Sequence, residues 1–265
     1  MAQVAVVGGG PAGLMAAEVI SAAGHAVTVY DRMPSVGRKL LIAGRGGLNL
    51  PHREDFQTFL GRYGAAREWL EPLLRAFPPE RLRAFALDLG QETFVGSSGR
   101  VFPKAMKASP LLRAWLRRLA GRGVTFRLRH RLAAAEGRRL TFALADAAET
   151  VVEPDALVLA LGGASWPRLG SDGGWVDLLA DKGVAVTPLS PANCGVRIAW
   201  SAPLLARAEG RALKRIALSA GGETVRGEAV VTRTGLEGGA VYALVPALRA
   251  ALAAGGGSAR LTVDL

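Results

Sequence analysis

"VAVVGGGPAGLMAAEVI", residues 4–20, joins a short apolar run to an alanine-rich segment through three glycines, with no polar side chain at the joint. A tight turn in a core would explain the joint, and so would a ligand that needs bare backbone there. Gly8, Gly10 and Gly13 fit G-x-G-x-x-G directly after a strand and at the start of a helix. In that pattern the first glycine permits the tight turn, the second lets backbone approach a pyrophosphate, and the third allows close helix–strand contact. The helix that opens at Pro11 and Ala12 offers unpaired N–H groups and a partial positive charge to phosphates. After Gly24, "HAVTVYD" resumes β-type sequence and ends in Asp31, 18 residues beyond Gly13. A carboxylate there can accept hydrogen bonds from a ribose 2′-OH. Strand, turn, helix and strand together make a unit of about 30 residues, the size of a parallel crossover. The glycines are therefore expected to let a dinucleotide's diphosphate touch the main chain.

The remaining composition fits a globular protein. Half of the 265 residues are apolar and 21% are charged, which argues against disorder. No run of about 18 uninterrupted apolar residues occurs, so no membrane span is expected. The N-terminus reads as a first strand and not as a signal peptide. A single cysteine, Cys194, excludes an internal disulfide and a CxxC redox pair, and a cytoplasmic location is expected. The net charge of +11 comes mostly from arginine. Richness in alanine, glycine and arginine matches GC-rich coding bias, and the few aromatics and missing RNA-binding motifs argue against a nucleic-acid face.

Along the chain, helices are expected over 11–23 and near 54–62, 65–76 and 79–89. "ETFVGSSGRVFP" reads as a hairpin turning at Gly96 and Gly99, and Ser109-Pro110 as the cap and first turn of the next helix. "VTFRLRH", "RLTFALA" and "TVVE" read as three short strands, and "ALVLALGG" as a further buried strand ending in Gly162 and Gly163. "SDGGWVDLLADKG" reads as a helix capped by Ser171 or Asp172. Beyond Pro188 the texture becomes β-rich, with a helix near 239–253 and a last strand "RLTVDL". The expected domains are 1–190 and 191–265. A strand that returns to the first sheet and presents Gly162 and Gly163 at its carboxyl edge suits an elongated FAD.

Four segments are more distinctive than the glycine pattern: "GRKLLIAGRGGLNL" (37–50), "SSGRVFPKAMKASPLLRAWL" (97–116), "LALGGASWPRLGSDGGW" (159–175) and "SPANCGV" (190–196). With them the whole chain resembles the BaiN-like family of bacterial NAD(P)/FAD-dependent flavoproteins, most of all its shorter-loop branch. The resemblance implies an α/β fold, a Rossmann-like FAD-binding domain with an inserted β-rich domain and a small helical portion. It also implies that Arg38, Lys39, Gly46, Gly47 and Asn49 lie along FAD toward the isoalloxazine; Asp172 is also expected among the cofactor-binding residues. Arg38 and Lys39 can neutralise pyrophosphate charge. Where many relatives carry a cysteine before the equivalent of Asn49 and a threonine soon after it, this sequence has Leu48 and Leu50. Family members continue well beyond "LTVDL", so the resemblance also implies that the β-rich domain is incomplete.

The expected function is an FAD-dependent oxidoreductase in which NAD(P)H is the co-substrate and a small organic molecule is reduced. An RNA-associated or RNA-modifying flavoprotein stays open as an alternative, as does a catalytically silent FAD-binding subunit. Cys194 reads as a small buried apolar residue. His25, His52 and His130 lack metal-ligand spacing, and Glu237 reads as a helix cap. No residue is nominated as catalytic acid or base, and the sequence does not reveal the substrate or the oligomeric state.

Overall fold

The structure, a computed structural model, describes residues 1–43, 46–97 and 99–265. The chain divides into two compact units, 1–187 and 188–265.

In the first unit the order is β1 (Gln3–Val7), α1 (Pro11–Ala22), β2 (Ala26–Asp31), α2 (Arg38–Ala43), α3 (Phe56–Gly61), α4 (Arg67–Ala76), α5 (Pro79–Asp88), β3 (Thr93–Val95), β4 (Val101–Pro103), α6 (Ala108–Gly121), β5 (Thr125–Leu128), β6 (Arg131–Glu136), β7 (Arg139–Ala143), β8 (Glu149–Val152), β9 (Ala156–Leu159) and α7 (Trp175–Ala180). Four strands form a parallel sheet in the order β5-β2-β1-β9. Alternate side chains of β1 and β2 serve two cores. Val6, Val27 and Val29 face α1 and α6 through Leu14, Ala17, Leu112, Trp115 and Leu119. Ala5, Val7 and Tyr30 face Leu140 and Phe142 of the antiparallel β6–β7–β8 sheet. Tyr30 and Phe142 stack with ring centroids 4.4 Å apart. Covering on both faces is why β1 reads as an unbroken apolar run and not as an alternation.

A buried charge ties α1 to α6. Glu18 accepts from Arg122 Nη1 at 2.8 Å and from Trp115 Nε1 at 3.1 Å, with Arg118 Nη1 3.6 Å away. Three donors around one carboxylate offset its desolvation, which is the condition for a charge to be buried at all.

Several sequence expectations need correction. The segment 124–153 holds four strands, because "RLAAAE" forms β6; its alanines give little β signal, yet it pairs with β7 through a register shift between Leu132 and Ala134. Expected as buried, β9 is an edge strand with Leu159 39% exposed. Helix α6 starts at Ala108 with Lys107 before it, so Ser109 is inside the first turn and caps nothing. Ser98 of the expected hairpin turn, like Gly44 and Arg45 of the 37–50 segment, lies outside the described residues.

The second unit contains β10 (Val196–Arg197), α8 (Ala202–Ala208), β11 (Ala212–Ala220), β12 (Glu223–Thr232), β13 (Gly235–Glu237), α9 (Gly239–Ala243), α10 (Val245–Ala254) and β14 (Thr262–Asp264). Its antiparallel sheet runs β10-β13-β12-β11-β14 around a core of Ile216, Leu218, Leu236, Val241, Leu244 and Leu248. The helix expected near 239–253 is two helices that meet at Leu244, because Pro246 opens the second and cannot donate a helical hydrogen bond. Glu237 is strand, and Gly238 sits at the N-cap of α9 with no side-chain bond. Cys194 is half-buried, not enclosed.

Candidate nucleotide cleft

The three motif glycines divide into two kinds. Gly8 has φ +112°, and a Cβ there would lie 2.2 Å from the Ala160 carbonyl oxygen, against the exit of β9. A Cβ on Gly13 would lie 1.8 Å from the carbonyl oxygen of Gly8. Both are needed for packing. Gly10 is different: a Cβ there would meet nothing within 4 Å. It is the N-cap residue of α1, with no side-chain cap and no acidic residue in the first turn. Bare backbone and an uncapped helix start thus stand together at open space, as an anion site requires. Gly9, which the pattern did not single out, is equally constrained: a Cβ would lie 2.3 Å from Val36 Cγ1.

This turn lines a cleft of about 300 Å³ whose walls come from the ends of β1, β2 and β9 and the segments after them. The position, at the carboxyl edge of a parallel sheet, is where open α/β folds hold ligands, and the volume is at the low end for such sites. Asp31 stands on its wall. Its Oδ2 accepts the Gly9 N–H at 2.7 Å and its Oδ1 the Met33 N–H at 2.7 Å. The carboxylate that the sequence assigned to a ribose therefore also fixes the glycine turn.

Two adjacent cations from the start of α2, Arg38 and Lys39, line the cleft, as do Arg32 and Arg131. Lys39 Nζ donates to Ser171 Oγ at 2.9 Å and to Ser165 Oγ at 3.4 Å. Ser171 is buried and donates in turn to the Gly163 carbonyl at 2.8 Å. Arg38 Nη1 donates to Ser35 Oγ at 3.2 Å, while its buried Nε has no hydrogen-bond partner among the described residues. Neither cation is paired with a carboxylate among the described residues. A buried N–H without an acceptor costs free energy, so Arg38 is suited to a ligand oxygen. Bare Gly10, uncapped α1, Arg38 and Lys39 together fit a diphosphate-bearing nucleotide.

Across the cleft, Arg32 Nη1 and Nη2 bind Asp172 Oδ1 and Oδ2 at 2.9 and 2.7 Å. The guanidinium hydrogen bonds, with a further bond from the Gly174 N–H, hold the Asp172 carboxyl down at about 2. Asp172 does not cap α7, whose N-cap residue is Gly174, and neither does Ser171. Trp175 Nε1 donates to the Gly162 carbonyl at 3.1 Å, closing the wall beside β9.

Of the residues picked from the sequence, Gly8, Gly10, Pro11, Asp31, Arg38, Lys39, Gly162 and Asp172 line this one cleft. Gly13 is buried beneath the turn, Ala12 is exposed on α1, and Gly163 lies behind Ser171. Gly46, Gly47 and Asn49 do not line it. That loop is stitched elsewhere: the Leu48 N–H donates to the Met106 carbonyl at 2.9 Å and the Leu50 N–H to the Val101 carbonyl at 2.9 Å. Leu48 is 3% exposed and belongs to the main core. Sequence reasoning missed Arg32, Met33 and Trp175 on the cleft wall. The Arg32–Asp172 pair spans 140 positions, and no local pattern carries such a signal.

The βαβ turn, the acid at the end of β2 and the parallel sheet define a Rossmann-type α/β fold. The family described as HI0933-like protein Rossmann domain matches residues 2–260, and the chain belongs to that family. A 3-dehydro-bile acid delta(4,6)-reductase of Clostridium scindens (strain ATCC 35704 / DSM 5676 / VPI 13733 / 19) is 26% identical over 203 residues. The match takes in 75% of this chain and 48% of the reductase, so the chain spans about half the length of that relative. Among solved structures, the open conformation of a flavocytochrome c3 fumarate reductase is similar with a TM-score of 0.51 and 18% identity, covering 68% of this chain and 40% of that one. Thermovibrio ammonificans THI4 aligns with a TM-score of 0.42 and 19% identity, over 69% of this chain and 64% of that one. The likeness to the fumarate reductase shows the α/β Rossmann-like fold. No described helix is long and apolar enough to cross a membrane.

Proposed function

We propose that the chain binds FAD in this cleft and works as an oxidoreductase that reduces a small organic molecule with NAD(P)H as reductant. The observation that carries the reading is Gly10, bare and unopposed at the uncapped start of α1 while its neighbours Gly8 and Gly13 are consumed by packing. Membership of the HI0933-like family and similarity to a reductase support the redox part.

In this reading the diphosphate of FAD takes the α1 amides beyond Gly10 and the charge of Arg38 and Lys39. The adenosine ribose lies at Asp31, whose two oxygens each keep a lone pair after bonding Gly9 and Met33. Ser171 and Ser165 hold the Lys39 ammonium in place, so the charge is preorganised before the ligand arrives. When bound, the flavin supplies hydride acceptance and donation. The chain's contribution is binding, orientation and charge.

The test is the absorbance of the purified protein at about 450 nm, followed by anaerobic titration with NADH and NADPH. A flavin spectrum bleached by either nucleotide supports the whole reading. A flavin that neither one bleaches removes the nicotinamide part and leaves the FAD site.

A further inference from the structure

We propose that Asp172 sets the nucleotide preference of the cleft: by holding Arg32, it admits a ribose with a 2′-hydroxyl and rejects one with a 2′-phosphate. The inference rests on the reading of the cleft as a dinucleotide site. Arg32 directly follows Asp31 at the end of β2, the place where the ribose of a bound dinucleotide meets this kind of fold. An arginine near that position is the group that accommodates a 2′-phosphate, through its planar fork of N–H donors. Here the fork is already used, since two of its nitrogens bind the two oxygens of Asp172.

The engagement is built into the fold. A Cβ on Gly170 would lie 2.6 Å from Met33 Cγ, so the segment leading to Asp172 is seated against the turn that carries Arg32. Gly174 donates its N–H to Asp172 Oδ1 at 3.1 Å and orients the carboxylate from the other side. With Arg32 neutralised, a 2′-phosphate would meet the Asp31 carboxylate without the adjacent guanidinium to offset it, leaving Arg131 as a further arginine that lines the cleft. A 2′-hydroxyl would instead donate to Asp31. The pair is about one-third exposed, 34% for Arg32 and 37% for Asp172, which leaves the guanidinium room to swing toward a ligand once the carboxylate is neutralised. The consequence is selection for FAD in the presence of 2′-phosphorylated dinucleotides that could occupy the same adenosine wall.

The test is competition against bound FAD, followed by flavin fluorescence, with 5′-AMP and adenosine 2′,5′-bisphosphate as probes that differ by the 2′-phosphate alone. The wild-type protein is expected to favour 5′-AMP by about tenfold or more. Asp172→Asn keeps the bond to Gly174 and should strengthen the bisphosphate by about ten- to hundredfold relative to 5′-AMP, the value of charge-assisted hydrogen bonds. Arg32→Gln combined with Asp172→Asn should abolish that gain. Equal competition by the two probes in the wild type overturns the proposal, as does a gain that survives removal of Arg32. FAD binding without 2′ discrimination would remove this inference alone, and absence of FAD binding would remove the cleft reading with it.

Discussion

The Asp31 carboxylate accepts the Gly9 amide at 2.7 Å, so one side chain at the end of β2 holds the glycine turn of the neighbouring strand. Its second oxygen takes the Met33 N–H at 2.7 Å and closes its own turn. Turn geometry and the proposed ribose contact therefore share a residue, and substitution there is expected to change stability as well as binding.

Asp31→Ala should lower stability as well as FAD affinity. Loss of hydrogen bonds to an ionised group costs about 1.5–3 kcal/mol, equivalent to roughly 3–12 °C in Tm for a unit of this size. Thermal melting of the ligand-free protein measures it. A Tm equal to wild type would mean that the two backbone bonds contribute nothing to stability.

The glycines should separate by readout. Gly13→Ala and Gly8→Ala place a Cβ at 1.8 and 2.2 Å from carbonyl oxygens, so both should be strongly destabilised or fail to fold. Gly10→Ala adds a methyl into open space at φ −79°, a conformation alanine adopts readily. Its Tm should match wild type or rise slightly. Circular dichroism melts of the three variants decide this.

Glu18→Ala should cost about 3–5 kcal/mol, because it strands Arg122, Arg118 and the Trp115 N–H around an empty site. Glu18→Gln retains an acceptor and should lose less. Urea unfolding with unchanged m would confirm that the loss is in native stability.

The Arg32–Asp172 pair implies a defined acid response. The folded carboxyl titrates at about 2, below its ordinary value of 3.8. A depressed carboxylate stabilises above its unfolded value and loses that contribution as pH falls through the folded one. The stabilisation should thus be intact above pH 4 and fade between about pH 4 and pH 2. Because both side chains are about one-third exposed, the effect should be small and screened by salt. A Tm difference between wild type and Asp172→Asn that shrinks across that window is expected; a constant difference contradicts it.

The βαβ unit and the cleft at its carboxyl edge were legible in the sequence because their signals are local. Gly8 to Gly13 and Asp31 lie within one βαβ unit, where backbone sterics and strand direction leave few alternatives. What escaped depends on distance. Arg32 meets Asp172 across 140 positions, and Ser171 receives Lys39 across 132; neither pairing leaves a periodic trace. The alanines of β6 hid a strand whose existence depends on pairing with β7. Edge position, which exposes Leu159 on β9, is a property of the sheet and not of "ALVL". The ties of Leu48 and Leu50 to the Met106 and Val101 carbonyls also join distant positions, so the placing of the 46–49 loop had no local signal either.

The most direct test of the cleft is the equilibrium titration of flavin-stripped protein with FAD, comparing wild type with Gly10→Ala by flavin fluorescence. Wild type should saturate at one equivalent. Gly10→Ala, folded and equally heat-stable, should bind at least about tenfold more weakly, because its methyl occupies the place where backbone and diphosphate meet. Equal affinity of the two proteins, or no saturable binding by wild type, would contradict the account.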